Sequence, residues 1–169
     1  MIISELNKSF TRGLFNEGAK QNTEYSEKER GLVLSTYIKP PVEIIEDFEG
    51  EPVLNFIGDW EKTTKQANGG TYSYTNKAIN HNGRAEATAS FSISVAGTIS
   101  FDYLVKSENN YDWLEIYING ERVVRASGDG SWQHVESVIK PGTNEIKLVY
   151  YKDGSRNYYD DSGYIDNIR

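Results

Sequence analysis

The sequence has no cysteine, only four prolines, two histidines and a single methionine among its 169 residues. Without cysteine the chain can form no disulfide bond, thiol nucleophile, zinc knuckle or iron–sulfur cluster. It has no run of eighteen apolar residues, so we expect no membrane-spanning segment and no membrane partner. Its first residues carry neither a basic leader before a long apolar core nor a small-residue cleavage site, so no signal peptide is predicted.

Known catalytic motifs are also missing. The sequence contains neither the GxSxG nor the HExxH pattern. Its two histidines lie in a turn-rich stretch (His81) and at an alternating strand position (His134), which is typical of structural or solvated residues. Sandwich glucanases place their catalytic carboxylates on a single strand, and Glu115 has a matching position. Tyr117 and Asn119 stand where the second and third carboxylates belong, so the chain is predicted not to be an enzyme.

The net charge of −7 is confined to one part of the sequence. Residues 1–45 carry six basic and six acidic side chains, whereas residues 46–169 carry twelve basic and nineteen acidic ones. An acidic domain without a basic stripe repels phosphate backbones, so nucleic acid is not an expected partner. The excess of carboxylates is compatible with calcium binding, although such charge is more often a solvated surface.

The chain is predicted to divide near residue 46. Before that point, apolar residues recur at helical spacing from Ile3 to Leu14, and Leu32–Ile38 is a strand-like run that ends at a Pro-Pro pair. Such a pair cannot donate ladder hydrogen bonds and forms a stiff joint. Residues 1–45 are too few to bury a core of their own, so we expect them to dock on the rest of the chain or on a neighbouring subunit.

After the joint, the hydrophobic pattern is that of short strands throughout. Period-two or short apolar runs separated by turn residues predict strands at Val42–Ile45, Arg84–Val95, Thr98–Val105, Trp113–Ile118, Arg122–Ala126, Trp132–Ile139, Glu145–Tyr151 and Gly163–Ile168. Asn119-Gly120 is the strongest turn signal, because a two-residue type I′ hairpin needs positive φ at both positions. Antiparallel strands with no intervening helix predict an all-β sandwich or jelly roll over residues 46–169.

Several groups of residues after position 46 follow one another in a distinctive order. They are Asp47–Gly50 with Trp60, Ser107–Leu114 followed by Ile118–Gly120, Ser127-Gly128 with Trp132, Tyr151–Ser155, and Asp161–Ile168. In order and spacing this part of the chain resembles jelly-roll modules of the MAM and carbohydrate-binding type. Modules of this kind occur in tail proteins of phages and prophages of Gram-positive bacteria and in bacterial surface proteins. The resemblance implies an antiparallel jelly-roll β-sandwich and does not extend to residues 1–45.

The same resemblance implies a structural calcium ion. In the modules that the sequence resembles, an ion commonly ties the first strand to the last. The positions that would hold it here are Glu49 of the opening motif and Asp166 of the closing strand, with Asp47 close by. Calcium takes six to eight oxygen ligands, which carboxylates supply. The alternative is an exposed carboxylate pair without an ion.

A ligand-binding face is predicted on the hairpin around the Asn-Gly turn. If the aliphatic residues of Trp113–Ile118 face the core, then Trp113, Glu115 and Tyr117 face outward, with Arg122 opposite Tyr117. Aromatic rings that stack on sugars, flanked by charged hydrogen-bonding groups, form a workable glycan surface. The alternative is that this face packs on another subunit or strand layer.

A second candidate for ligand binding is the aromatic pair Tyr158 and Tyr159. The pair stands in a predicted loop, directly before two acidic residues. The same alternative of packing against another surface applies to it.

Two non-enzymatic functions fit these features. The first is a structural and attachment component of a phage or prophage tail, located in the virion, whose sandwich contacts host-surface glycans. Its predicted partners are other tail subunits, and its predicted state is a homo-oligomer, with a trimer favoured, built through residues 1–45. The second is a secreted carbohydrate-binding or adhesion module of a bacterial surface protein. The first is favoured because a secreted module normally needs an export signal, whereas a virion protein leaves by lysis.

Overall fold

In a computed structural model of the protein, the described residues are 43–169 together with two short strands nearer the N terminus. These strands, β1 (Glu27–Lys28) and β2 (Gly31–Leu32), pair with each other antiparallel. The contacts within the chain divide it into residues 1–42 and a compact unit of residues 43–169. The predicted N-terminal helix and residues 33–38 of the predicted early strand lie outside the described residues, and the predicted oligomerisation segment stays a prediction.

The compact unit is built from strands, and residues 43–169 contain no helix. The strands are β3 (Ile57–Gly58), β4 (Trp60–Thr63), β5 (Ser73–Asn76), β6 (Arg84–Ile93), β7 (Gly97–Lys106), β8 (Trp113–Ile118), β9 (Glu121–Ala126), β10 (Gln133–Ile139), β11 (Gly142–Tyr151) and β12 (Ser162–Asp166). Within the described part of the chain, no helix has the length and apolar character needed to cross a membrane.

The ten strands form two five-stranded sheets in which all neighbours are antiparallel. One sheet, here called the β12 sheet, has the order β10-β7-β12-β5-β4, and the other, the β8 sheet, has the order β3-β6-β11-β8-β9. Apolar and polar side chains alternate along the long strands, so one face of each sheet is apolar and packs on the other sheet. The predicted all-β fold, an antiparallel jelly-roll β-sandwich, is confirmed.

The core lies between the inner faces of the two sheets. Alternate residues of the central strands supply it, and none of the following is more than 3% exposed: Leu114, Ile116 and Ile118 of β8, Ile146, Leu148 and Tyr150 of β11, Ile99 and Phe101 of β7, and Ile165 of β12. The period-two pattern in these strands therefore marks the inward face correctly. It also means that the intervening residues of β8 lie on the outer face of the sandwich.

Three short strands are not indicated by the sequence pattern. β3 has two residues, and β4 and β5 have four each, so none contains a long alternating apolar run. Conversely, residues 43–45 of the predicted strand Val42–Ile45 form no regular strand, and that prediction is wrong for them. Only Glu46 makes a bridge there, with Ile168 near the C terminus.

The predicted Asn119-Gly120 turn joins β8 to β9. Its residues have φ values of 50° and 81°, as a type I′ turn requires. Tyr117 and Arg122 face each other across the hairpin, as predicted.

A β-bulge follows this pair and changes the register of the hairpin. One extra residue in β9, Val123, has no partner in β8, so Glu115 pairs with Arg125 instead of Val124. A bulge adds a residue on one strand only and re-aims the side chains beyond it. Here it brings a second arginine to the outer face of the β8 sheet.

Candidate functional site

The outer face of the β8 sheet carries the predicted ligand-binding residues. Trp113, Glu115 and Tyr117 alternate along β8 with the buried aliphatic residues, and Arg122 lies opposite Tyr117 on β9. The structure therefore brings all four to one face. Trp113 and Tyr117 are half-buried and Arg122 is exposed, whereas Glu115 is only 5% exposed. The alternating sequence pattern of β8 does not reveal that Glu115 lies beneath the neighbouring side chains of this face.

Glu115 is the centre of a hydrogen-bond network. Its Oε1 accepts a hydrogen bond from Arg122 Nη1 at 2.8 Å and lies 3.2 Å from Arg125 Nε. Its Oε2 accepts a hydrogen bond from the Tyr117 hydroxyl at 2.6 Å, and this bond is the main cause that raises the pKa of Tyr117. A carboxylate with these three partners is well compensated. Glu115 therefore serves to hold the side chains around it.

Arg125 is the residue of this face that sequence reasoning missed. Its guanidinium carbon lies 3.7 Å from the centroid of the Trp113 ring, which is a close cation–π contact. On the neighbouring strand, Tyr151 pairs with Trp113, and the Arg84 guanidinium lies 5.7 Å from the Tyr151 ring. Two neighbouring aromatic rings, each contacted by an arginine from its outer side, thus form one row across the sheet. The arginine-rich composition of β9 is visible in the sequence, but the bulge that aims Arg125 is not.

The row lies in a locally cationic patch of an acidic protein. Among the described residues, the charged side chains of this outer face are the cations Arg84, Arg122, Arg125 and Lys147 and the carboxylates Glu86, Glu115 and Glu145. Glu86 bonds Lys147 at 2.7 Å and also contacts Arg84, and both contacts lower the pKa of Glu86. The face offers guanidinium donors and aromatic surface together, which is suited to binding hydroxyl-rich or anionic ligands.

The second predicted candidate, Tyr158 and Tyr159, lies in the loop between β11 and β12. The two residues are 41% and 64% exposed, and their ring centroids are 6.3 Å apart. Arg156 Nη1 donates a hydrogen bond to the Tyr158 hydroxyl oxygen at 3.1 Å. The pair is thus a surface feature of the loop.

The predicted calcium ligands Glu49 and Asp166 contact one and the same loop. Asn68 N donates to Asp166 Oδ2 at 2.8 Å. Thr71 N and Tyr72 N donate to Glu49 Oε1 at 2.8 and 2.7 Å. The loop between β4 and β5 therefore links the opening segment of the unit to its last strand.

The carboxylate of Asp166, in the last strand, is repelled by two other carboxylates. Asp166 is 1% exposed, and burial raises its pKa to about 6, with a further upward push from the carboxylates of Asp102 and Glu49. Asp47 is exposed and accepts a hydrogen bond from Glu49 N at 3.1 Å. Among residues 43–169, the three predicted ligands do not gather within 4.8 Å of one another. The structure therefore places Glu49 close enough to repel Asp166, and it places Asp47 in contact with the Glu49 backbone, without gathering the three carboxylates at one point.

The histidines have separate surroundings. His134 Nδ1 lies 2.7 Å from Asp102 Oδ1, and this hydrogen bond is the main cause that raises the pKa of His134. Asp102 Oδ2 accepts hydrogen bonds from the side-chain amides of Asn68 and Asn167, both at 2.9 Å. His134 thus belongs to a network on the outer face of the β12 sheet, while His81 is exposed.

Comparisons with known proteins find similar solved structures only. No protein-family model matches the chain, and no curated protein matches it in sequence. One similar structure is a family 35 carbohydrate binding module from an environmental isolate, with 21% identity, a TM-score of 0.44, and coverage of 74% of this chain and 90% of that one. Another is the CBM22-1 xylan-binding domain from Paenibacillus barcinonensis Xyn10C, with 12% identity, a TM-score of 0.44, and coverage of 73% and 89%.

A third similar structure is the secreted serine protease VesC from Vibrio cholerae. Its identity is 15% and its TM-score 0.47, and the match covers 57% of this chain. The chain spans only 20% of the length of that protease. Identities this low and TM-scores below 0.5 say nothing about a shared ligand, so the ligand has to be inferred from the site itself.

Proposed function

We propose that the protein is a carbohydrate-binding module that binds a polysaccharide on the outer face of the β8 sheet. The observation that carries the proposal is the combination of aromatic rings and guanidinium groups on this face, where the buried Glu115 holds Tyr117, Arg122 and Arg125 in place. Such a module acts outside the cell, at a surface that displays polysaccharide, and has no catalytic role of its own.

The first argument is that the binding groups are held in place before a ligand arrives. Arg122 and Arg125 both contact the same carboxylate, Glu115, although their side chains are 48% and 44% exposed. Fixing flexible arginines in advance lowers the entropy that ligand binding would otherwise cost. Each guanidinium has five N–H donors, so its contact with Glu115 uses only part of that capacity.

The second argument is that the same face combines the two interactions a sugar needs. The Trp113, Tyr117 and Tyr151 rings are half-buried, so each has surface left for contact. Aromatic rings contribute apolar contact area to the C–H face of a pyranose, and arginines donate hydrogen bonds to its hydroxyl or carboxylate oxygens. Because cations outnumber carboxylates here, polysaccharides with uronic acids belong in any test.

The hypothesis of a phage-tail component uses the same binding site as the proposed module and differs from it only in the assembly to which the protein belongs. A tail subunit that contacts host-surface glycans would use the same face of the β8 sheet, with residues 1–45 attaching it to other subunits. The location in a virion, the tail partners and the trimer stay predictions. The described residues favour the carbohydrate-binding function itself, which both hypotheses share.

Replacing Trp113 with alanine tests the function. Affinity electrophoresis of the full chain against neutral and uronic-acid polysaccharides is expected to show at least one retarding polymer. Trp113→Ala is expected to weaken that binding about tenfold, which corresponds to about 1.4 kcal/mol, because the ring surface and the anchor of Arg125 are lost together.

Trp132→Ala is the matched control, because Trp132 is also half-buried but lies next to β10 in the other sheet. The control variant is expected to bind as the unmodified chain does. Equal loss of binding in both variants, or no retardation by any polysaccharide, would contradict the proposal.

We also propose that a calcium ion binds between Glu49 and Asp166. The structure fits this in two ways: the two carboxylates repel each other, and Asp166 is buried with a raised pKa. In the adjoining loop, Gly70 lies directly against the Glu49 carboxylate. A cation there would neutralise charge that the protein otherwise buries at a cost.

Removing calcium tests this proposal. If calcium binds the native state and not the unfolded state, a hundredfold excess of calcium over its dissociation constant raises the free energy of unfolding by about 2.7 kcal/mol. A chelator is therefore expected to lower the melting temperature. Asp166→Asn is expected to lose one bound calcium ion per chain in calorimetric titration. Asp59→Asn, at a carboxylate that is 70% exposed, serves as the control. Equal calcium content in the two variants would exclude the site.

A further inference from the structure

A second group of carboxylates lies at the opposite end of β12. Glu108 and Asp112 stand in the loop between β7 and β8, and Asp153 follows the end of β11. One carboxylate oxygen from each lies within 4.8 Å of the other two. In the β12 sheet, Ser162 pairs with Lys106 and Asp166 pairs with Asp102. These two pairs are four residue steps apart along the strand, which puts the group about 13 Å or more from Asp166.

Two oxygens of this group are buried without a hydrogen-bond partner. Asp112 is 0% exposed, and its Oδ1 accepts a hydrogen bond from Asp153 N at 2.9 Å. Within residues 43–169, its other oxygen, Oδ2, has no hydrogen-bond partner, and neither does the buried Oε2 of Glu108. A buried ionised carboxylate that lacks partners is unfavourable by several kcal/mol, so native proteins normally pair it with a cation or a metal ion.

Lys152 compensates the charge of the group only in part. Its Nζ forms an ion pair with Asp112 Oδ2 at 3.9 Å, a separation beyond hydrogen-bond distance. Its close contacts are with Asp161 Oδ2 and with Asn157 Oδ1, the latter at 2.6 Å. The hydrogen bonds of Lys152 are therefore made in the following loop, and its ammonium leaves Asp112 Oδ2 and Glu108 Oε2 without a hydrogen bond.

We propose that Glu108, Asp112 and Asp153 bind a calcium ion, at a site distinct from Glu49 and Asp166 and independent of the proposed function. The three donors are all carboxylate oxygens, which hard divalent cations prefer and softer transition metals do not. Calcium accepts six to eight oxygen ligands at about 2.3–2.6 Å in a flexible arrangement, so waters and backbone carbonyls can complete the set around three carboxylates. Magnesium demands a near-ideal octahedron with bonds of about 2.0–2.1 Å.

The consequence of this ion would be to fasten two loops together. One is the loop before Trp113, where the candidate ligand-binding face begins. The other runs on from Asp153 to β12 and carries Tyr158 and Tyr159. The ion would therefore order both aromatic surfaces that the sequence singled out, without contacting a ligand itself.

The test measures calcium binding to the full chain after treatment with a chelator. Isothermal titration with calcium chloride is expected to show this site, and Glu108→Gln to weaken it at least about tenfold, because the affinity of such sites follows the number of charged ligands. Asp153→Asn is expected to act in the same direction. Glu108 and Asp153 are chosen because changing Asp112, at the centre of the cluster, could prevent folding.

Two further variants serve as a control and as a means to distinguish the Glu108 site from the proposed site at Glu49 and Asp166. Glu121→Gln, at an exposed carboxylate of β9, should leave all calcium binding unchanged, and Glu49→Gln should leave the Glu108 site unchanged. Near-ultraviolet circular dichroism, a readout of the tyrosine-bearing loops, should change on calcium addition in the unmodified chain and not in Glu108→Gln. The proposal is overturned if Glu108→Gln and Asp153→Asn bind calcium as the unmodified chain does, or if the unmodified chain binds none.

Discussion

Replacing Glu46 with alanine is expected to lower the free energy of unfolding by about 3–5 kcal/mol, because it leaves three backbone donors without an acceptor. Glu46 is 3% exposed. Its Oε1 accepts a hydrogen bond from Phe48 N at 2.9 Å, and its Oε2 accepts from Val53 N at 2.7 Å and from Leu54 N at 2.9 Å. One side chain thus closes the whole opening loop of the sandwich.

The opening loop contributes to stability because it is attached both to the C-terminal residues and to the core. The backbone of Glu46 exchanges two hydrogen bonds of 2.9 Å with Ile168, near the C terminus. Phe48 and Leu54, each 7% exposed, place their side chains in the core, where the Phe48 ring stacks on Tyr74 at 5.2 Å. Loss of the carboxylate would loosen these contacts together with the hydrogen bonds.

Urea unfolding of three variants measures the effect. Glu46→Gln keeps one carbonyl acceptor and is expected to fall between the alanine variant and the unmodified chain. Glu51→Ala, at an exposed residue of the same loop, is expected to change stability by less than about 0.5 kcal/mol. Similar losses in Glu46→Ala and Glu51→Ala would show that the carboxylate does not hold the loop.

The second large effect is expected at the contact between the two sheets. A Cβ added at Gly163 of β12 would lie 2.7 Å from Leu114 Cδ1 and 3.3 Å from Leu114 Cβ. Leu114 is 0% exposed, so its side chain has no solvent to move into. Gly163→Ala is therefore expected to destabilise the protein by about 1–3 kcal/mol through overpacking. Leu114→Ala is expected to cost about 2–5 kcal/mol through the cavity it leaves.

A double-mutant cycle shows whether the two losses share this contact. The methyl group at residue 163 would partly fill the space that Leu114→Ala opens, so the double variant should lose at least about 1 kcal/mol less than the sum of the single losses. Gly97→Ala, where an added Cβ meets nothing within 4 Å, is the control and should be nearly neutral. Strict additivity of the two losses would contradict the proposed contact.

The hairpin shows how far local sequence determines this fold. A type I′ turn depends on two neighbouring φ angles, so Asn119-Gly120 is enough to place it. The apolar alternation of β8 is equally local, and it assigns Trp113, Glu115 and Tyr117 to the outer face without knowledge of the partner strand. These features depend on a few consecutive residues and were predictable for that reason.

The pairing of Arg125 with Glu115 shows where that reasoning stops. The bulge at Val123 shifts the register by one residue, and no turn residue or periodicity indicates it. Strand pairing without the bulge would put Val124 opposite Glu115. The position of Arg125 on the outer face, where it stacks on Trp113, follows from that one unpaired residue.

By itself, the sequence determined the all-β class, the turn between β8 and β9, and the inward and outward faces of the long strands. These properties follow from backbone preferences and apolar periodicity within single segments. Only the tertiary structure decided that Glu46 caps the opening loop and that Glu108, Asp112 and Asp153 meet. The carboxylate group joins loops that are far apart in sequence, and the loop that Glu46 caps is held to the C terminus through Ile168. Both arrangements therefore depend on the packing of the two sheets rather than on a local sequence pattern.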